Sequence, residues 1–293
     1  MEDQANHLRS LVRHQSRSAD PPPPGARHPA ARLIAVAGGK GGVGTTTVAI
    51  HLATALARSG ARTVLVDADP GGGNIAVLCG LEPARSLADV VAGRREIGSV
   101  LCPGPADVAV APGPFGTANF VEEAHCGVER LLAALEALRE RFDCIVVDSG
   151  TGVHRSARRI WRRADVVLAV TTIELASVLD TYGAIKMLTA SASPARIHVL
   201  VNRALHAAAA EDVFARLERA CARFLAVGFE PAGYLPSEPA LAAGPHGDRL
   251  EPLGEGSPAA ERFCRLAAQL AMSRAGRAGD GRDPAADRVA ACG

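Results

Sequence analysis

Residues 38–47, GGKGGVGTTT, restrict the fold more than any other part of this chain. They lie between a short apolar run, residues 33–37, and a segment, residues 45–58, whose apolar side chains recur at helical spacing. Glycines flanked in this way form a strand-to-helix turn. Gly39, Gly41, Gly42 and Gly44 let backbone N–H groups converge on one point, and the start of the helix adds partial positive charge, so the turn is a phosphate site by geometry. Val43 and Thr47 complete the loop, and Thr46 is placed to set its hydroxyl on a magnesium ion. The run fits GxxxxGK[ST] at every position but one: Thr45 stands where the lysine that grips phosphate belongs.

Two later segments supply carboxylates. Residues 63–69, TVLVDAD, read as a strand ending in Asp67 and Asp69, and residues 144–148, CIVVD, as a strand ending in Asp148. In open parallel sheets ligands bind beyond the carboxyl ends of the strands, so these groups are expected beside the phosphate loop. A magnesium nucleotide needs such groups, one to hold metal-bound water and another to orient the attacking water. Taken alone, Asp67 reads as a turn cap.

With Lys40 early in the loop, DAD after the second strand and VVDSG after a later one, the chain resembles the MinD/ParA family of deviant Walker ATPases. The resemblance implies ATP and magnesium as ligands and a nucleotide-dependent homodimer in which Lys40 reaches the partner's nucleotide. It also implies that Asp69 orients water and that Asp148 with Thr46 holds the metal. Within the family the resemblance is to flagellar-number regulators of the FlhG (FleN) type. It rests on DADPGGGNIAVLCGL at 67–81, SLADVVAG at 86–93, LVNR at 200–203 and GYLP at 233–236. Asn202 is thereby implied on the adenine side and Pro236 in the loop that closes over the base. Residues 3–9, DQANHLR, fit a DQAxxLR element with which such proteins activate a signal-recognition-type GTPase, FlhF. That implies Gln4, Leu8 and Arg9 as partner-binding residues.

Thr45 leaves two functional readings open. A charge-assisted hydrogen bond contributes about 1.5–3 kcal/mol, so its loss weakens ATP binding by roughly ten- to a hundred-fold. Hydrolysis, which depends on positioned positive charge, should suffer more. One reading is a nucleotide-binding regulator with weak or absent ATPase. The other is a non-hydrolysing adaptor with a degenerate site, and a DNA-partitioning ParA relative comes third.

Strands expected at 33–37, 63–67, 107–111, 144–148, 165–170, 197–201 and 232–235 alternate with helices, one of them marked by Val128, Leu131, Leu132, Leu135 and Leu138 and another by Leu175, Val178, Leu179, Tyr182 and Ile185. This alternation predicts an α/β fold, a single doubly wound, mostly parallel sheet of P-loop NTPase type with helices on both faces. The expected organisation is a partner-binding helix over 1–15, a proline-rich linker over 16–31, the nucleotide-binding domain over 32–272 and a disordered tail over 273–293.

A net charge of +1 and 3% aromatic residues give no field or stacking platform for nucleic acid. Seven cysteines without a CxxC pair read as small buried residues in a reducing compartment, and no apolar block suits a signal peptide or membrane span, so a cytoplasmic setting is expected. Reversible association with the inner face of the membrane enters only as an implication of the family. Arg155, Arg158, Arg159, Arg162 and Arg163 around Trp161 form either a partner, membrane or DNA contact or a solvated helix face. The amphipathic stretch Phe263, Leu266, Ala267, Leu270 is rich in alanine and lacks lysine, which suits a last core helix better than an interfacial one.

Overall fold

The computed structural model describes residues 31–114, 126–190, 195–238, 241, 249–250, 253–254 and 256–272. The expected N-terminal helix with Gln4, Leu8 and Arg9, most of the linker, and the C-terminal tail lie outside them.

Eight strands form one sheet in the order β3-β4-β2-β5-β1-β6-β7-β8. They are β1 (Arg32–Gly38), β2 (Thr63–Asp67), β3 (Cys102–Pro103), β4 (Ala109–Ala111), β5 (Cys144–Thr151), β6 (Val166–Thr171), β7 (Arg196–Ala204) and β8 (Glu230–Pro236). All pair in parallel except β3, which runs antiparallel to β4 at the edge. The helices are α1 (Thr45–Arg58), α2 (Ile75–Leu78), α3 (Leu87–Val91), α4 (Gly127–Leu138), α5 (Arg155–Arg163), α6 (Leu175–Thr189), α7 (Ala207–Leu225) and α8 (Pro258–Met272). This is the doubly wound α/β sheet that the alternation predicts.

Both faces of the sheet are covered, which is why its strands read as continuous apolar runs. Alternate residues nevertheless serve different cores. Leu33, Ala35, Val64, Val66, Ile145 and Val147 join the layer formed with α3 to α7, whereas Ile34, Val36, Leu65 and Val146 join the layer formed with α1 and α8. Phe263, Leu266 and Leu270 of α8 are buried in that second layer. Each such side chain contributes roughly 1.5–3 kcal/mol by its burial, so the apolar face considered for membrane binding is occupied by the core.

Two sequence expectations need correction, on β4 and on the cysteines. Residues 107 and 108 are not strand: a 3-10 turn, Pro105–Asp107, precedes a shorter β4. The helix over 175–189 forms as its apolar spacing predicts, with Leu175 and Leu179 on its outer side. They are 63% and 60% exposed. The buried face is instead carried by Ser177, Val178, Thr181, Ala184, Ile185 and Leu188. The small hydroxyl residues allow this because Gly39 lies against the α6 backbone, where a Cβ would meet the Asp180 carbonyl carbon at 2.4 Å. Their hydroxyls find local partners, Ser177 Oγ accepting the Thr172 amide at 3.0 Å and Thr181 donating to the Ser177 carbonyl at 2.8 Å. The cysteines, all free thiols among the described residues, are not uniformly buried: Cys126 and Cys264 are exposed.

Candidate functional site

The phosphate loop leaves β1 in the middle of the sheet and enters α1 directly. Gly44 caps the helix with φ 92°, and no acidic residue occupies the first helical turn. Only glycine suits this position, because the backbone is left-handed and a Cβ would lie 2.5 Å from Asn202 Nδ2. Asn202, buried at the end of β7, donates that Nδ2 to the Val43 carbonyl at 2.8 Å and accepts the Arg203 amide on Oδ1 at 2.9 Å. It therefore joins the far side of the sheet to the loop across 159 residues of sequence.

Thr45 is 5% exposed. Its methyl group, with those of Val43 and Thr151, crowds the space beside Gly38, where a Cβ would meet them at 2.7, 2.8 and 3.3 Å. The side chain that replaces lysine thus turns into the crook of the loop. Gly41 and Gly42 stand clear of other atoms. Lys40 is at the exposed rim, paired with Glu174 at 3.2 Å.

The carboxylates converge as the parallel order requires. Asp67 and Asp148 are register partners on β2 and β5, and Asp148 is level with Val36 on β1. Both are fully buried. Asp148 Oδ1 accepts the Gly150 amide at 3.0 Å and its carboxyl also meets the Thr46 hydroxyl. Asp67 Oδ2 accepts the amide of Ile75, the first residue of α2, at 3.0 Å. The turn-cap reading of Asp67 therefore describes one of its oxygens. The other, Oδ1, is buried with no hydrogen-bond partner among the described residues, as is Asp148 Oδ2. Burial raises both carboxyls, Asp67 to about 7 with further help from the charge of Asp148, and Asp148 to about 6 against the hydrogen bonds from Thr46 and Gly150. Asp69 lies over Gly150, where a Cβ would be 2.3 Å from its Oδ1, and takes the Gly71 amide on that oxygen at 2.8 Å.

This donor set fits a magnesium nucleotide. Hard oxygen donors, a hydroxyl and carboxylates with unsatisfied oxygens are what magnesium uses, with phosphate and water supplying the rest of its shell. No group of three His, Cys, Asp or Glu side chains of metal-binding arrangement occurs among the described residues. Beside the loop a cavity of about 310 Å³ is lined by Gly44, Thr47, Asn202, Arg203, Pro236 and Phe263, among others. Asn202 and Pro236, distant in sequence, share this cavity with the start of α1. Arg203, not singled out by sequence reasoning, adopts φ 55° at its edge, an uncommon conformation for a non-glycine residue. Asp67 thus joins Asp148 at the carboxyl ends of the central strands, where the parallel-sheet rule places ligands.

The arginine face of α5 is partly engaged within the domain. Arg159 pairs with Glu129 and Arg163 with Glu136 of α4. Trp161 is buried and donates Nε1 to Ser149 Oγ at 3.0 Å, and Ser149 in turn donates to the Val36 carbonyl at 2.8 Å. This buried relay fastens α5 to the strand end that carries Asp148. No helix among the described residues is long and apolar enough to cross a membrane.

The sequence and fold are similar to those of known proteins. The chain is 40% identical over 212 residues to the antiactivator FleN of Pseudomonas aeruginosa, covering 72% of this chain and 75% of that protein. The flagellum site-determining protein YlxH of Helicobacter pylori is 28% identical over 158 residues, 53% of each chain. Among solved structures, the cell-division ATPase MinD of Pyrococcus furiosus superposes with a TM-score of 0.67 at 26% identity, covering 82% of this chain and 98% of that one. Residues 34–245 match the CobQ/CobB/MinD/ParA nucleotide binding domain, and the chain belongs to that family.

Proposed function

We propose that this protein is a MinD-like, ATP-dependent regulator of flagellar number and placement, with weak or absent hydrolysis. The observation that supports it best is that Thr46, Asp148, Asn202 and Pro236 gather around a glycine-rich strand-to-helix loop that has threonine where the family pattern has lysine. Backbone amides from residues 39–44 would hold the phosphates, Thr46 and Asp148 the magnesium, and Asn202 and Pro236 the adenine side. Bound magnesium would offset phosphate charge at the buried carboxylates. Asp69, held over Gly150, is the group that would orient water. Thr45 offers only a dipole where a lysine would stabilise developing charge, so turnover should be slow while binding persists.

The flagellar assignment draws on the similarity to FleN and YlxH, and the partner on the DQANHLR element at residues 3–9. In this reading Gln4 and Arg9 act at the GTP site of an FlhF-type GTPase and Leu8 anchors the helix, while Lys40 serves a nucleotide-bound homodimer. Titration calorimetry with magnesium ATP, followed by steady-state phosphate release, tests the first part. Saturable binding with phosphate release at or near background supports it, and absence of binding at millimolar ATP overturns it in favour of a nucleotide-free adaptor. A peptide of residues 1–15 should stimulate GTP hydrolysis by such a GTPase, and Arg9→Ala should remove most of that effect. No stimulation by the peptide, with stimulation by the full chain, would move the activating surface to the domain.

A further inference from the structure

We propose that the outer face of α6 pairs with the same face of a second copy of this chain, the two helices antiparallel about a twofold axis beside the phosphate loops. The inference rests on the nucleotide-switch reading above and names the surface through which that switch would act. Leu175 and Leu179, one turn apart on α6, are each more than half exposed. Tyr182, Gly183 and Lys186 continue the same stripe, since residues three and four apart are neighbours on a helix surface. Val178, Ile185 and Leu188 hold the other side of α6 in the core, so the leucine stripe has no place there. Gly183 is a notch in it. Glycine is disfavoured inside a helix, yet a Cβ at 183 would meet nothing within 4 Å, so no packing within the domain requires its absence. The missing side chain instead lets a second helix come close.

Three features select a second copy as the occupant. The stripe has opposite charges at its ends, Glu174 at the start of α6 and Lys186 near its finish. Antiparallel pairing sets acid against lysine, whereas parallel pairing sets like against like; exposed rim pairs of this kind fix direction and add little affinity. The stripe is also self-complementary in shape. With the axis level with residues 180 and 181, Leu175 meets the stem of Lys186, and Leu179 meets Tyr182 and the Gly183 notch, each contact being made twice as an isologous interface requires. Finally, Gly39 lies against α6 at that same level, where a Cβ on it would be 2.4 Å from the Asp180 carbonyl carbon and 2.6 Å from the Thr181 amide nitrogen. The axis that covers the leucines therefore brings the two phosphate loops together, with Lys40 and Glu174 at the seam. A nucleotide seated in either loop then lies at the boundary between the copies.

The test is sedimentation equilibrium of the full chain, with and without magnesium ATP, beside two variants. One carries Leu175→Gln with Leu179→Gln, which removes the apolar stripe; the other carries Gly183→Gln, which fills the notch. Both should keep the parent's melting temperature or exceed it, because the leucines are exposed and glutamine is a better helix former than glycine. Each should raise the dimer dissociation constant by at least about tenfold. An unchanged constant in either variant overturns the pairing, as does a parent that stays monomeric at every concentration with saturating ATP. Calorimetry with magnesium ATP on the same preparations separates this from the nucleotide reading. A parent that binds no ATP but forms a dimer sensitive to both variants loses the nucleotide reading and keeps the pairing. ATP binding with a dimer indifferent to the variants keeps the first and loses the second.

Discussion

Asp67 and Asp148 face each other across β2 and β5, both without solvent contact, and each leaves one carboxylate oxygen unpartnered among the described residues. Desolvation is the main cause of their raised pKa values, with mutual repulsion added at Asp67. Two buried carboxylates this close cannot both ionise at low cost, and a cation between or beside them would relieve both.

The nucleotide-free domain should carry this strain as a pH dependence. The folded-state value of Asp67, about 7, exceeds its ordinary value of 3.8, so its contribution to stability is fully present in acid and is lost as pH rises through that interval. Asp67→Asn should therefore raise the melting temperature at pH 7.5 or above, by on the order of 5 °C, and change it little near pH 4. Thermal melts of both proteins across that range check this. An equal shift at both ends would mean that the carboxylate is not held protonated by its surroundings.

His51 should act in the opposite direction. Burial, with a smaller effect of Arg58, lowers it to about 4, and it lies against Phe263 with ring centroids 5.2 Å apart. A folded-state value below the ordinary one gives stability that is present above about pH 6.5 and is lost as pH falls toward 4. His51→Leu should flatten the acid limb of the stability profile, measured by urea unfolding at several pH values. An unchanged acid limb would assign it to other groups.

Asn202→Ala should reach the phosphate loop from the far side of the sheet. It leaves the Val43 carbonyl without its 2.8 Å partner, at a cost of about 1–3 kcal/mol where the group stays buried. Denaturant unfolding should show that loss, and ATP affinity should fall with it. Full affinity in a destabilised variant would separate the loop's anchorage from its binding competence.

How much of this could be read from the sequence depended on distance along the chain. The loop and α1 were legible because glycine spacing and helical period are local, and α1 starts and ends where its apolar period does. Asp148 was legible as the end of an apolar run. The bond from Asn202 to Val43 was not, since nothing local pairs residues 159 apart. Nor was the pairing of Asp67 with Asp148, which needs the strand order β4-β2-β5-β1. β3 escaped notice because it is two residues long and contains Pro103, which edge strands tolerate. The period of Leu175, Val178, Leu179, Tyr182 and Ile185 marks the helix over 175–189 but not its buried face, since helical spacing does not say which neighbour covers which residue.

Lys40 should matter between copies more than within one. Its pair with Glu174 is exposed at both ends, 44% and 67%, and such surface pairs contribute at most about 1 kcal/mol, so the lysine is readily released. Lys40→Ala should reduce nucleotide-induced dimer in sedimentation experiments and leave the fold intact, whereas Glu174→Ala should not reduce it. A monomer–dimer balance indifferent to nucleotide in every one of these proteins would support the adaptor reading instead.

Thr45→Lys should recover what the loop lacks. Lysine has the higher helix propensity at the first position of α1, and its flexible stem can leave the crook that the Thr45 methyl now fills beside Gly38. Removing that methyl opens a small gap against Val43 and Thr151, with a stability cost of about 1 kcal/mol. The gain is a charge-assisted bond to phosphate, which should strengthen ATP binding by roughly ten- to a hundred-fold. Phosphate release should rise by a larger factor, because the added charge acts most strongly where negative charge develops on the transferring group. Calorimetry and phosphate-release assays on the same preparation separate the two effects. If affinity rises and turnover does not, the lysine position governs binding alone and the slow step lies with Asp69 or dimer assembly. An unchanged affinity would mean that a cation elsewhere on the rim already fills the role.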